Sequence, residues 1–599
     1  MRRGSTLLIL LVSCGGSGAL PPATFEPLPE LGPTPNGAVV LKREVTLRFA
    51  DRDGAIAETE ERVALRVIDS AAATPYQTLA FSSGRRGRVT ELIGRRSRPS
   101  GEVEVQRWSG EGGAALRFRA LRDGDRLDWR VVYLSDDPEA APPLVAAGPD
   151  PSLTVTLRVQ ARDGFEVTTR AGDGAGPGAR LEPGDEWEQS YERVPAIPQD
   201  RLAPHPQRQG PWLLAVATKG VSNDRVVDYA SSWTQVARRL ADRALATADV
   251  PAWEKGALAR GDGRRRLAAV REMFPVDPTV PLFDRPARPF AQLAGAVTPF
   301  EAAKVMEAAS GRAFEKTQIA LVASATGPLV FDDLPGLYGF TTAAVALQSG
   351  GRWTFAVPGC VTCAYGRVPI DLAGARAFVA DPKAPVLLSV PRVAVDTSSV
   401  RGQVSWRVSA AGRMTGSGLV ELRGEAARQV FERSQALQSE ATLRDALNRY
   451  WLGTDDVQIR TLVEPDVLRA GEALPVKVEL RSQGNARKIR LSEITGRSLP
   501  WFPPLDEPRA LVLPAPLREE AVHTVQLRGS ALAVTPGTAS FSSDVGSVTV
   551  SYSQSGRLLT IRRLIEITDL LIPASRFSEL QALLQAAREA DESELTLIF

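Results

Sequence analysis

The chain has 599 residues, with 72 Lys and Arg against 70 Asp and Glu, and its net charge of +2 gives no global signal for nucleic acid. Hydrophobic residues make up 43% and charged residues 24%, the balance of an ordinary globular chain long enough for three or four domains. Three cysteines (Cys14, Cys360, Cys363) and two histidines (His205, His523) are all the thiol and imidazole it carries, which narrows the catalytic and metal chemistry it can host.

Arg2 and Arg3 precede the apolar run Leu7 to Val12. That run is too short to span a bilayer and reads as the h-region of a signal peptide. It ends in Leu11-Val12-Ser13-Cys14, which resembles the lipobox of bacterial lipoproteins. The resemblance implies a signal peptide over 1–13, a lipid on the Cys14 thiol and a membrane-anchored position in the bacterial cell envelope, periplasmic or at the outer membrane. Residues 14–36 are rich in Gly, Pro and Ser and read as a flexible tether.

Over 37–195 apolar residues alternate: Val45, Leu47, Phe49; Val63, Leu65, Val67; Leu127, Trp129, Val131, Tyr133; Leu153, Val155, Leu157, Val159. Gly/Asp turns separate the runs. Period-2 patterning with short turns predicts an N-terminal antiparallel β-sandwich. A Pro-rich crossing follows to Pro211.

Helical spacing then begins with Trp233, Val236, Ala237 and Leu240. Leu267, Val270 and Phe274 suggest a second helix. Thr298-Pro299-Phe300-Glu301 is a capping box with proline at the first helical position, heading a helix to about Ala309. A further apolar helix is predicted near 317–325, and β-like runs return at 342–347 and 353–357. Beyond Pro391 the chain reads as strand-rich, broken by a helix within 424–451 and closed by a helix carrying Phe577, Leu580, Leu583, Leu584 and Ala587.

This layout, with Ser231-Ser232-Trp233 after a Pro-rich crossing, Gly366-Arg367-Val368-Pro369 and the closing Arg562-Arg563 and Phe577-Ser578-Glu579-Leu580, resembles a family of bacterial envelope proteins. Those proteins join an N-terminal β domain of unknown function, a transglutaminase-like (papain-like) domain and a C-terminal β domain. The resemblance implies an α+β multidomain fold: a β-sandwich over 37–195, an α+β core over 205–390 and a β-rich domain with a terminal helix over 391–599. Enzymes of the family use a Cys-His-Asp triad, with the cysteine at the start of a buried helix. The matching positions here are Ala313 in Gly311-Arg312-Ala313-Phe314, Thr342 after Phe340-Thr341, and Val357 before Pro358. The triad is therefore expected to be degenerate.

Cys360-Val361-Thr362-Cys363 admits three readings: a structural disulfide, free thiols, or a metal or redox site. No second C-x-x-C or neighbouring histidine completes a zinc set. His205 lies between prolines, and His523 is expected on the polar face of a strand. Asp332-Asp333 reads as a solvated loop, and Gly172-Asp173-Gly174-Ala175-Gly176 lacks the helix a phosphate loop needs. The arginine clusters at 85–88, 95–98 and 264–266 lack interleaved aromatics and read as solvated faces, and Trp212 and Trp233 as packing residues.

The expected function is that of a catalytically inactive envelope lipoprotein without cofactor, binding or scaffolding other envelope proteins, peptides or glycan. The alternative is a cysteine-dependent transglutaminase or protease, or a thiol-redox module, working through Cys360 or Cys363.

Overall fold

The protein is described here from a computed structural model. It describes residues 20–598 except 30–31, 53–54, 82–86, 110–113, 138–140, 163, 173–177, 199, 201, 223–224, 246–266, 268, 272, 278–281, 283–292, 294–295, 311–313, 361–362, 364–365, 393–397, 410–412, 425–426, 428–443, 446, 449–450, 452–456, 463–472, 483–487, 500–501, 503–507, 514–516 and 528–531. Cys14 and the expected signal peptide lie outside these residues. The chain is mostly strand and divides into two compact units. One comprises residues up to 198, 210–231 and 334–338; the other comprises 199–209, 232–333 and 339–599.

The first unit runs through β1 (Ala38–Arg52), β2 (Ala55–Val67), β3 (Thr78–Phe81), β4 (Arg88–Ser97), β5 (Val103–Ser109), β6 (Ala114–Arg117) and β7 (Arg126–Ser135). It continues with β8 (Leu144–Val145), β9 (Ser152–Ala161), β10 (Glu166–Gly172), β11 (Arg180–Leu181), β12 (Glu186–Val194), β13 (Trp212–Ser222) and β14 (Arg225–Asp228). A seven-stranded sheet has the order β12-β9-β1-β2-β7-β4-β5. Its apolar face, with Leu65, Leu92, Trp129 and Val131, is covered by Tyr76, Leu116 and Phe118 from and beside the separate two-stranded β3–β6 sheet.

Two expectations are corrected here. The sheet is not wholly antiparallel, because β9 pairs with β1 in parallel. The long connection between them lets the chain return in the same direction, as parallel neighbours require. The boundary at 205 also moves. Trp212–Ser222 pairs with β10 and with β8, and so belongs to the first unit. Its run Leu213 to Ala217 is buried on both faces, which a central strand tolerates and an exposed linker does not.

The second face of the seven-stranded sheet is charged. Arg130 meets Glu60 and Glu91, each at 2.6 Å, and Arg95 and Arg126 each meet Asp128 at 2.8 Å. Burial alone would raise Glu60, but hydrogen bonds from Arg130, Arg62 and Arg48 hold its carboxyl down to about 2. Guanidinium groups keep spare donors after pairing, and these take up part of the segment expected to be a free tether. Arg126 donates to the Thr24 carbonyl at 3.1 Å, Arg66 to that of Glu26 and Arg95 to that of Pro21. The Arg66 guanidinium also lies 5.6 Å from the Phe25 ring centroid. Residues 20–28 are therefore docked against arginines rather than free.

The second unit begins with α1 (Trp233–Leu245) and α2 (Pro299–Ser310). A five-stranded antiparallel sheet follows, of β15 (Lys316–Ala323), β16 (Phe340–Ser349), β17 (Arg352–Ala356), β18 (Arg376–Val379) and β19 (Val386–Ser389), in the order β17-β16-β15-β18-β19. The helix expected near 317–325 is thus a strand. Residues 319–323 are buried on both faces and show no period. Pairing with β16 on one side and β18 on the other makes the choice.

The C-terminal part adds β20 (Ser399–Val408), β21 (Met414–Arg423), β22 (Val457–Leu462), β23 (Ala473–Ser482), β24 (Lys488–Arg490), α3 (Ser492–Thr495), β25 (Leu511–Val512) and β26 (Leu517–Gln526). It ends with β27 (Leu532–Val534), β28 (Ala539–Ser542), β29 (Gly546–Ser555), β30 (Leu558–Ile567), β31 (Leu571–Ile572), α4 (Phe577–Glu592) and β32 (Glu594–Ile598). Eight strands form one sheet, β22-β23-β21-β20-β26-β30-β29-β28, with β20 and β26 parallel. The terminal helix α4 buries Phe577, Leu580, Leu583, Leu584 and Ala587, and β32 after it pairs with β24 and β27. Most of the helix expected within 424–451 lies outside the described residues; Ala427, Leu447 and Trp451 are placed and belong to the core. No helix among the described residues is long and apolar enough to cross a membrane.

Candidate functional site

The five-stranded sheet of the second unit and the turn after β17 hold two of the three positions the sequence singles out for triad chemistry, Thr342 and Val357. Helix α2 starts as expected. The Thr298 hydroxyl accepts from the Glu301 amide at 3.1 Å, and the Glu301 carboxylate accepts from the Thr298 amide at 2.9 Å. This reciprocal cap accounts for a fully buried carboxylate without an acid-base role. At its other end the Ser310 hydroxyl donates to the Met306 carbonyl at 2.7 Å.

Ala313 lies outside the described residues. Helix α2 ends at Ser310 and β15 starts at Lys316, so the described residues that follow Ala313 enter a strand and not the expected helix. The helix that precedes β15 is headed instead by Thr298 and Pro299, neither of which is a thiol, and the Thr298 Oγ1 is engaged in the cap.

Thr342 stands opposite Val322 in the β15–β16 pairing. Val322 packs with Ala344, Ala346, Phe355, Val357, Cys360, Leu372 and Val390 in one apolar cluster. Strand alternation therefore puts Thr342 on the face that carries Val357. Val357 is 4% exposed and surrounded by hydrocarbon. On the opposite face, Trp233 of α1 packs on Phe378 with ring centroids 4.7 Å apart and edge-on to Phe340 at 6.3 Å. An irregularity between Val322 and Ala323 turns Phe340 toward that side. The Trp233 indole donates to the Asp332 carbonyl at 2.8 Å.

Immediately after Val357 the chain closes on itself. Cys360 and Cys363 are joined by a disulfide across a Cα separation of 5.3 Å. The Cys360 amide donates to the Val357 carbonyl at 3.2 Å. Arg271 donates to the Cys363 carbonyl at 2.6 Å. Burial pushes the Arg271 guanidinium down to about 10. Sequence reasoning passed over Arg271, because a charged residue between apolar helix positions reads as solvent-facing.

The two imidazoles are not brought to this region together. The His205 Nδ1 accepts from the Gln207 amide at 3.2 Å and caps the short turn Pro206–Arg208. His523 lies in β26, and the expectation of a polar face is overturned: its side chain is 0% exposed. Trp406 donates to its Nδ1 at 3.0 Å, and Trp451 stacks on it. Burial, with the Arg563 charge, pushes its pKa down to about 3. Strand β26 does alternate, with Leu517, Glu519, Ala521, His523 and Val525 buried and the residues between them partly exposed; His523 takes the buried face because a neutral imidazole between two indoles behaves as a core residue.

The remaining candidates are peripheral. Asp332 and Asp333 are exposed, and Asp332 pairs with Arg376. Arg95, Arg96 and Arg98 are all engaged by carboxylates. Residues 85–86, 264–266 and 173–177 lie outside the described residues. Trp212 is buried in β13, as a packing residue should be.

Residues 506–597 match the model of a family described as a domain of unknown function with solved structure, DUF3858. Among solved structures, the chain is similar to a protein of Parabacteroides distasonis ATCC 8503 described as a "putative protease". Sequence identity is 12% and the TM-score 0.55, over 94% of this chain and 99% of that one. At such identity the likeness is one of fold. None of the curated proteins matches the chain.

Proposed function

We propose that this chain is an exported, lipid-anchored envelope protein whose transglutaminase-like core binds a ligand instead of cleaving one. One observation carries the reading: the chain has no histidine between His205 and His523. The only cysteines in that stretch are Cys360 and Cys363, bonded to each other. A thiolate nucleophile needs an imidazole or an equivalent base within hydrogen-bond reach. The caps, apolar packing and disulfide around the matching positions support the same reading. A helix followed by an antiparallel sheet, and likeness to a protein described as a protease, support the inherited fold; a fold hosts more than one function. The lipobox-like Leu11-Val12-Ser13-Cys14 supports the anchor.

The test is direct. Purified protein, with and without reductant, is incubated with iodoacetamide, glutaminyl peptides and an amine. The expected result is no amide turnover in either state and no cysteine labelling without reductant. Turnover that iodoacetamide abolishes would overturn the reading in favour of a cysteine-dependent enzyme. For the anchor, Cys14→Ser is expected to release the protein from the membrane fraction.

A further inference from the structure

A cavity of about 380 Å³ opens within the second unit. Five stretches meet around it: the turn carrying Arg208, the exit of β15 from Ala323 to Val330, the run from Ile370 into β18, Arg392 after β19, and Thr568–Leu571 after β30. Its volume is in the range of small-molecule sites. The charge it presents is unbalanced. Arg208, Arg376 and Arg392 line it against a single carboxylate, Asp569, so three positive charges less one negative leaves +2. Arg376 is paired with Asp332, and Asp569 lies 3.3 Å from Arg576. Arg208 and Arg392 have no carboxylate partner among the described residues.

Arg208 is the more telling of the two. Its Nε donates to the Gly327 carbonyl at 2.9 Å, which fixes the direction of the guanidinium fork. Burial lowers its pKa, and no acid offsets that cost. Arg392 is held by a different device. Gly374 adopts φ +76°, and a Cβ there would stand 3.2 Å from the Arg392 Cγ; the missing side chain is the seat of the arginine stem. Much of the remaining wall is apolar, including Leu329, Val330, Ile370 and Leu570.

We infer that this cavity binds a carboxylate carried on an apolar body, the carboxylate meeting the Arg208 and Arg392 guanidiniums and the body lying against Leu329, Val330 and Leu570. The planar guanidinium fork matches a carboxylate in two parallel hydrogen bonds. The inference rests on the binding reading above and gives it a ligand class. The carboxylate is either the C-terminus of a peptide or that of a free acid.

Isothermal titration of the full chain with acetyl-Leu-Leu, its C-terminal amide, octanoate and inorganic phosphate separates the cases. Binding of acetyl-Leu-Leu or of octanoate is expected, and which of them binds identifies the source. The amide should bind about tenfold more weakly or not at all, a loss of about 1.4 kcal/mol or more. Arg208→Gln should weaken the acid by a similar factor, and Arg392→Gln, at an exposed side chain, gives the same readout if Arg208→Gln fails to fold. Acid binding that neither substitution changes, no binding of either acid, or phosphate binding as tightly as the acids would overturn the inference. Conversion of a bound peptide to products would overturn the non-catalytic reading and leave the pocket standing.

Discussion

Trp406 donates its indole N–H to the Nδ1 of His523 at 3.0 Å, in the fully buried centre of the C-terminal core. Because Nδ1 accepts, the imidazole proton sits on Nε2, which has no hydrogen-bond partner among the described residues. Trp451 closes the other side of the ring, with centroids 6.2 Å apart. Both indoles lie against glycines: a Cβ on Gly402 would come within 2.7 Å of Trp451, and one on Gly416 within 2.8 Å of Trp406.

This arrangement predicts an acid-labile core. The folded pKa of His523 is near 3 against an ordinary value of 6.5. The unfolded chain thus binds the proton first, and stability is lost as pH falls from about 6.5 toward 3. Over the whole window the loss approaches about 4–5 kcal/mol. His523→Asn keeps an acceptor for Trp406 and should flatten this slope. Urea unfolding at pH 4 and pH 7.5 measures it; an unchanged slope would refute the assignment.

Arg563 is 0% exposed and joins Glu519 to Asp591, the latter at 2.9 Å, while also donating to the Gly496 carbonyl at 2.5 Å. Removing the cation leaves two carboxylates buried without it. Arg563→Met is expected to cost about 3–5 kcal/mol. Combining it with Glu519→Gln and Asp591→Asn should recover part of the loss, read as a shift in denaturation midpoint.

Thr298→Ala removes one half of the cap on α2 and should destabilise the second unit by about 1 kcal/mol. Glu301→Gln retains an acceptor for the Thr298 amide and should cost less. Thermal melts of the two variants test the ranking.

The disulfide closes a loop of only four residues, so its effect on the unfolded chain is small. Cys360→Ser with Cys363→Ser is expected to cost about 2 kcal/mol, without loss of fold. Unfolding with and without reductant should show the same difference in the wild type and none in the double variant.

Residues 20–28 are held by Arg66, Arg95 and Arg126. Arg95→Met with Arg126→Met should raise hydrogen exchange across this stretch while leaving that of β1 unchanged. Equal exchange in wild type and variant would show that the docking is not formed in solution.

Local patterns carried much of the fold. Val45, Leu47 and Phe49 alternate in sequence and are all buried in β1. Thr298 and Glu301 spell their own cap, and the stripe of α4 is readable from Phe577 to Ala587. These features depend on neighbours within one turn or one strand, so the chain specifies them alone. The poverty in histidine and cysteine is likewise a property of the sequence, and it limits the chemistry whatever the fold.

What only the tertiary structure decided depends on partners far along the chain. Residues 317–323 are strand because β16 and β18 flank them, and Trp212–Ser222 joins the first unit because β10 accepts it. His523 is a core residue because Trp406 and Trp451 arrive more than 70 positions away. The cavity at Arg208 exists because residues from 208 to 571 converge on one place. Burial is a sum over all neighbours, and a local pattern reports only those nearest in the chain.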